Sequence, residues 1–110
     1  MQDLPTTFHA HFFFEAHEQE AADAMRVDLM KSIPEIEAGR FLPRAAGPLP
    51  EPMFMVTFSA RLLPSVIEFI EKRRGHRSVL VHSISNDELA DHTDGARWFG
   101  RPLHLRLDRL

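Results

Sequence analysis

Cysteine is absent from the 110 residues, which excludes disulfides and thiolate metal sites. Basic charge is not in excess: 13 Lys and Arg stand against 16 Asp and Glu, a formal net charge of −3 with the histidines neutral. A nucleic-acid binder usually presents a basic face, so no nucleic-acid partner is expected. No apolar run approaches the length of a membrane span, so no membrane partner is expected either. The first residues lack the basic start and apolar stretch of a signal peptide. The expectation is a soluble cytoplasmic protein. Internal repeats and low-complexity stretches are also missing.

What is present is enough apolar residue, 44% of the chain, to fold one domain over residues 1–110. The compositional oddity is seven histidines. Two of them, His9 and His11, lie one residue apart in "FHAHFFFE", a run otherwise apolar and aromatic.

The spacing of residue types predicts a βαββαβ order with a C-terminal addition. Thr7 to Phe14 is rich in β-branched and aromatic residues and reads as a strand. Ala21, Met25, Leu29 and Ile33 recur at fours, so a helix is expected from about Glu15 to Ser32, ended by Pro34. "EIEAGRFL" reads as a short strand and "PRAAGPLPEP" as a proline-rich loop. Met53 to Ser59 is a strong strand. Pro64 suits the first turn of a second helix, about Leu63 to Arg74, with Gly75 as its stop. "SVLVHSI" is a further strand. "SNDELADHTDGARWFG" reads as a turn, a short helix or two, and a glycine exit. "LHLRLDRL" alternates Leu103, Leu105 and Leu107 with polar residues and is expected to be a last edge strand. The fold class is therefore α+β, on the ferredoxin-like split-βαβ plan, with a C-terminal helical turn and an extra strand. That plan places the first and third strands centrally and the fourth beside the first.

Strand side chains alternate between faces. Ala10, Phe12, Phe14, Phe54, Val56, Phe58, Val79 and Val81 form a wholly apolar set, expected beneath the two helices. His9, His11, Phe13, Met53, Met55, Leu80 and His82 share the other face. Its apolar members are too many to leave wet, so a second subunit, the C-terminal segment, or both should cover it. A homodimer is the expected solution. A lone strand histidine is more often a packing residue than a ligand; two on one face with a third on a neighbouring strand shift the balance toward a shared site. His17, His76 and His104 read as solvated, and Met53, Met55 and Trp98 also suit a plain packing role.

Three ordered stretches, "FHAHFFF", "GPLPEPMFMVTF" and "SVLVHSISNDELADHTDGARWFG", resemble the small bacterial and fungal DOPA 4,5-dioxygenase family. The similarity runs from about His9 to Gly100, most of the chain. The resemblance implies a ferredoxin-like fold, commonly dimeric, and extradiol cleavage of a catechol ring by dioxygen at a metal, nominally Fe(II), with zinc or another divalent ion as substitutes. It maps the family's paired strand histidines onto His9 and His11, its strand-closing histidine onto His82, and the histidine after the acidic turn onto His92. The family's loop pattern is Gly-Pro-His-Pro; here Gly47-Pro48-Leu49-Pro50 lacks that histidine. The family also tends to His-Pro and Thr-Gly where this chain has His82-Ser83 and Ser85-Asn86.

Non-haem ferrous sites commonly use two histidines and a carboxylate. His11 and His82 are the metal candidates. His9 is read as a catalytic group, a ligand, or a residue behind the ligands. His92 is read as the acid/base or a ligand. Glu51, Asp91 and Glu15 are candidate carboxylates, and the spacing does not choose among them. Phe13, Met53 and Trp98 are expected to line the pocket for a small aromatic substrate. Leu49 supports an alternative: a catalytically altered or non-enzymatic dimeric module of the same fold that binds a small molecule or a metal.

Overall fold

β-Branched and aromatic residues near the start of the chain form the central strand of the molecule. The computed structural model describes residues 6–110. β1 (Thr7–Phe13) pairs antiparallel with β3 (Met53–Ser59) on one side and β4 (Val79–Ser83) on the other. β2 (Glu37–Ala38) lies outside β3, and β5 (Ala96–Phe99) lies outside β4. The five-stranded sheet has the order β2-β3-β1-β4-β5.

The helices are α1 (Gln19–Ser32), α2 (Leu63–Arg73) and a single turn, α3 (Glu88–Asp91). α1 buries Ala22, Met25 and Leu29, and α2 buries Val66, Phe69 and Ile70, against the face carrying Ala10, Phe12, Phe54, Val56, Val79 and Val81. The rings of Phe12 and Phe54 stack in this core with centroids 4.9 Å apart. No described helix is long and apolar enough to cross a membrane.

α1 starts four residues later than its periodicity suggests. Glu15 to Glu18 form a turn instead, closed by the Glu18 N–H donating to the Glu15 carbonyl and the Glu15 N–H donating to the Glu18 carboxylate. The turn carries the chain from the sheet to the layer above it. α2 ends as expected: Gly75 adopts φ 62°, the left-handed conformation that glycine enters without steric cost.

The last edge strand is misplaced by the sequence pattern. β5 is Ala96–Phe99, and Gly100, at φ 80°, turns the chain out of the sheet. The segment from 103 onward makes no strand; it ends in a 3₁₀ turn, Leu107–Arg109. Its alternating leucines serve a different purpose. Leu103 and Leu105 pack, with Leu42 and Trp98, on the second face of the sheet, over the buried cluster of Phe13, Leu49, Met53 and Leu80. The chain thus covers this face itself, so the apolar patch gives no argument for a homodimer.

The proline loop is ordered by its ends and by its tip. Leu42 and Met53 exchange backbone hydrogen bonds at 2.8 and 3.1 Å. Ala46 and Leu49 do the same at 2.9 and 3.2 Å, across a turn in which Gly47 has φ 53°. This turn delivers Leu49 to the second face.

Candidate functional site

Strand parity puts His9 and His11 on the second face, and the β1–β4 register sets His9 directly opposite His82. His11, two residues along, reaches diagonally back to the same partner. Its Nε2 lies 3.0 Å from Nε2 of His82, and the two rings stack with centroids 5.1 Å apart. His9 stands edge-on to both, at 6.0 and 5.3 Å between centroids. Each of the three offers a ring nitrogen, and these atoms all lie within 4.8 Å of one another. His92, which follows α3, adds a fourth ring 4.4 Å from that of His82.

Hydrogen bonding decides which nitrogens carry lone pairs. Nδ1 of His82 is 2.9 Å from the Ser83 carbonyl, which can only accept. The proton is therefore on Nδ1, and Nε2 of a neutral His82 points its lone pair at His11. Nδ1 of His92 donates likewise to the Glu88 carbonyl at 2.8 Å, leaving its Nε2 free. Buried Nδ1 of His11 has no hydrogen-bond partner among the described residues.

The cluster resists protonation. Burial pushes His11 well below its ordinary value near 6.5, and repulsion from His82, His9 and His92 adds to the effect. Burial lowers His82 as well, against the opposing hydrogen bond to Ser83. His9 is lowered by burial and by His92, with Asp91 pulling the other way. In the metal-free pair the His11 Nε2–H donates to the His82 lone pair, and a divalent metal would take the place of that proton between two neutral imidazoles. Metal–nitrogen bonds of about 2.0–2.1 Å at cis angles separate two nitrogens by roughly 2.9–3.4 Å. The 3.0 Å gap between His11 and His82 fits that separation.

The expected carboxylate does not join them. Asp91 is buried, and both its oxygens are taken by Ser85: the backbone N–H at 2.8 Å and the hydroxyl at 2.8 Å. Glu15 and Glu51 line a different cavity, with Glu18, His76 and Arg77. Among the described residues the convergent ligands are three histidines with no carboxylate. His17, His76 and His104 are exposed, as expected.

The histidines open into a cavity of about 290 Å³. Pro48, Leu49, Ile84, Ser85, Glu88, Asp91, Arg109 and Leu110 complete its lining. The fold has a counterpart among known proteins. The model of the Dopa 4,5-dioxygenase family matches residues 8–109. The chain belongs to the Dopa 4,5-dioxygenase family. Among solved structures, it is similar to the crystal structure of a protein from Nostoc punctiforme titled a "putative dioxygenase". The identity is 28% and the TM-score 0.89, over 98% of this chain and 95% of that one. No curated protein matches the chain.

Within this Dopa 4,5-dioxygenase family member, the residues expected to line an aromatic pocket are placed elsewhere. Phe13 and Met53 are buried in the cluster beneath Leu49. Trp98 stacks on Phe13 at 5.8 Å and faces a neighbouring cavity that shares only His92 with the histidine cavity. Parity assigned Phe13 and Met53 to the correct face but could not show that Leu49 and the C-terminal segment would cover them. Arg109 and Ile84 line the cavity and were not anticipated. Arg109 was hidden by reading its segment as a strand, and no local pattern marks it.

Proposed function

We propose that the chain is a metal-dependent extradiol dioxygenase that opens the ring of a small catechol. The observation that carries this is the pair His11 and His82, 3.0 Å apart and neutral, in a family member. His9 completes the group that would hold the ion, with Fe(II), zinc or another divalent metal all compatible with three imidazoles. Any such ion would supply Lewis acidity toward the catechol oxygens, and Fe(II) would add the redox couple for dioxygen that zinc lacks. The chain's own residues do the rest. Pro48, Leu49 and Ile84 give the ring apolar walls. His92, with its Nδ1 proton held by Glu88, presents Nε2 as a base for a catechol hydroxyl and returns that proton as the ring opens. Both atoms of dioxygen enter the product, so no external reductant is required. The strand order, with β1 and β3 central and β4 beside β1, supports the ferredoxin-like reading of the fold.

The test is anaerobic reconstitution with Fe(II), then oxygen uptake against a panel of catechols. Uptake with a yellow ring-cleavage product is the expected result. Its absence with every catechol sinks the proposal.

Leu49 favours a second reading, a non-enzymatic or catalytically altered module of the same fold. Its side chain is apolar, buried and packed with Phe13, Met53 and Leu80, and it supplies no proton carrier. A protein that binds metal or an aromatic acid stoichiometrically, yet consumes no oxygen with any catechol, would establish this reading over the first.

A further inference from the structure

We propose that Arg109 determines substrate specificity: its guanidinium binds a carboxylate carried on the ring of the aromatic substrate. This rests on the dioxygenase reading and names the substrate class for the same cavity.

A cavity of about 290 Å³ lies at the small end of the range for ligand sites, so it suits a single ring with a short substituent. The sheet end of that cavity is occupied by His9, His11 and His82, and the two hydroxyls of a catechol must face them. A substituent elsewhere on the ring then meets the rest of the lining. Beside the histidines, Arg109 is the one cationic side chain in that lining among the described residues. Of the two carboxylates there, Asp91 is spent on Ser85. Glu88 is exposed on α3, and its charge disfavours an anion on its side of the cavity.

Arg109 belongs to the C-terminal turn rather than to the sheet, and that turn is pinned. The Arg106 N–H donates to the Pro48 carbonyl at 2.8 Å, and the Arg109 N–H donates to the Arg106 carbonyl at 2.9 Å. The Arg106 guanidinium reaches the Gly47 carbonyl at 3.4 Å. The backbone of Arg109 is therefore held to the proline loop that forms a wall of the cavity. Among the described residues, its side chain has one weak partner. Its ion pair is to adjacent Asp108 at 3.8 Å, with the two side chains 60% and 81% exposed, a contact of little strength. A guanidinium carried on this anchored backbone can take a carboxylate through two parallel hydrogen bonds, which a lysine cannot reproduce.

The experiment compares the wild-type protein with Arg109→Gln and Arg109→Lys. The Fe(II)-loaded proteins are assayed on 3,4-dihydroxyphenylacetate and on neutral 4-methylcatechol. Binding of unreactive phenylacetate and benzyl alcohol to the metal-free proteins is followed by NMR titration. Arg109→Gln should lower the acid-over-neutral ratio of kcat/KM by at least about tenfold and weaken phenylacetate relative to benzyl alcohol to a similar degree, with Arg109→Lys intermediate. Equal losses on both catechols, or phenylacetate binding that ignores the substitution, overturn the proposal. If no catechol is turned over but phenylacetate binding still depends on Arg109, the dioxygenase reading fails and the anion site stands.

Discussion

Asp91 accepts two hydrogen bonds from one residue, Ser85, through the backbone N–H and the hydroxyl, each at 2.8 Å. This closes the loop after β4 onto α3, and α3 in turn carries His92 to the histidine cluster. Asp91→Ala should destabilise the fold by about 2–3 kcal/mol, because it removes charge-assisted bonds and leaves a backbone N–H unpaired. Ser85→Ala, which removes only the hydroxyl, should cost about 1 kcal/mol. Urea denaturation of both variants measures the difference. Equal costs would show that the hydroxyl, not the backbone bond, carries the clamp.

Phe12 and His11 are adjacent in the chain but face opposite sides of the sheet, so their substitutions should separate stability from binding. Phe12 is about 1% exposed beneath the helices. Phe12→Ala should cost about 3–5 kcal/mol. His11→Ala should leave a folded protein that binds Fe(II) or zinc at least about tenfold more weakly. Denaturation and metal titration on the two variants test this. Unchanged metal affinity in His11→Ala would remove the three-histidine site from consideration.

Stability should fall in mild acid. His9, His11 and His82 are all lowered in the folded state from an ordinary value near 6.5. Above about 6.5 both folded and unfolded chains hold these rings neutral, and stability is at its full value. As the pH drops from there toward the lowered folded-state values, the unfolded chain binds protons that the folded chain refuses, and stability declines. Metal affinity should hold through that range and drop only as the pH reaches the lowered folded-state values, since a protonated ring has no lone pair to give. Denaturation midpoints of the metal-free protein between pH 8 and about 5 test the first statement. A flat profile would mean that the cluster is more open to water than its burial indicates.

Leu49 should act as both core and wall. It is 5% exposed, packs on Phe13, Met53 and Leu80, and lines the histidine cavity. Leu49→Ala should cost about 2–4 kcal/mol and admit catechols with bulkier ring substituents. Denaturation combined with a ligand series of increasing size checks both effects. Loss of stability with no change in size tolerance would assign Leu49 to packing alone.

Much of the site was legible because strand alternation is a local property. With β1 and β4 recognised as strands, His9 and His11 had to share a face with Phe13, and Val79 and Val81 had to oppose Leu80 and His82. The pairing of the fourth strand beside the first then brought His82 to His9 and His11. The apolar set Ala10, Phe12, Phe54 and Val56 marked the helix-facing side from composition alone.

What lay beyond the sequence was where the loops and the C-terminal segment settle on the sheet. Leu103 and Leu105 alternate like a strand, but alternation also suits an extended segment lying across a sheet, and only the folded chain shows them covering Phe13 and Met53. The same ambiguity concealed Arg109, which reaches the cavity because Arg106 ties its turn to Pro48. Asp91 was an equal candidate with Glu15 and Glu51 until hydrogen bonding committed it to Ser85. Face and residue type follow from the repeat of the backbone; which partner a side chain finds, and which surface a loop covers, depends on packing across the whole molecule.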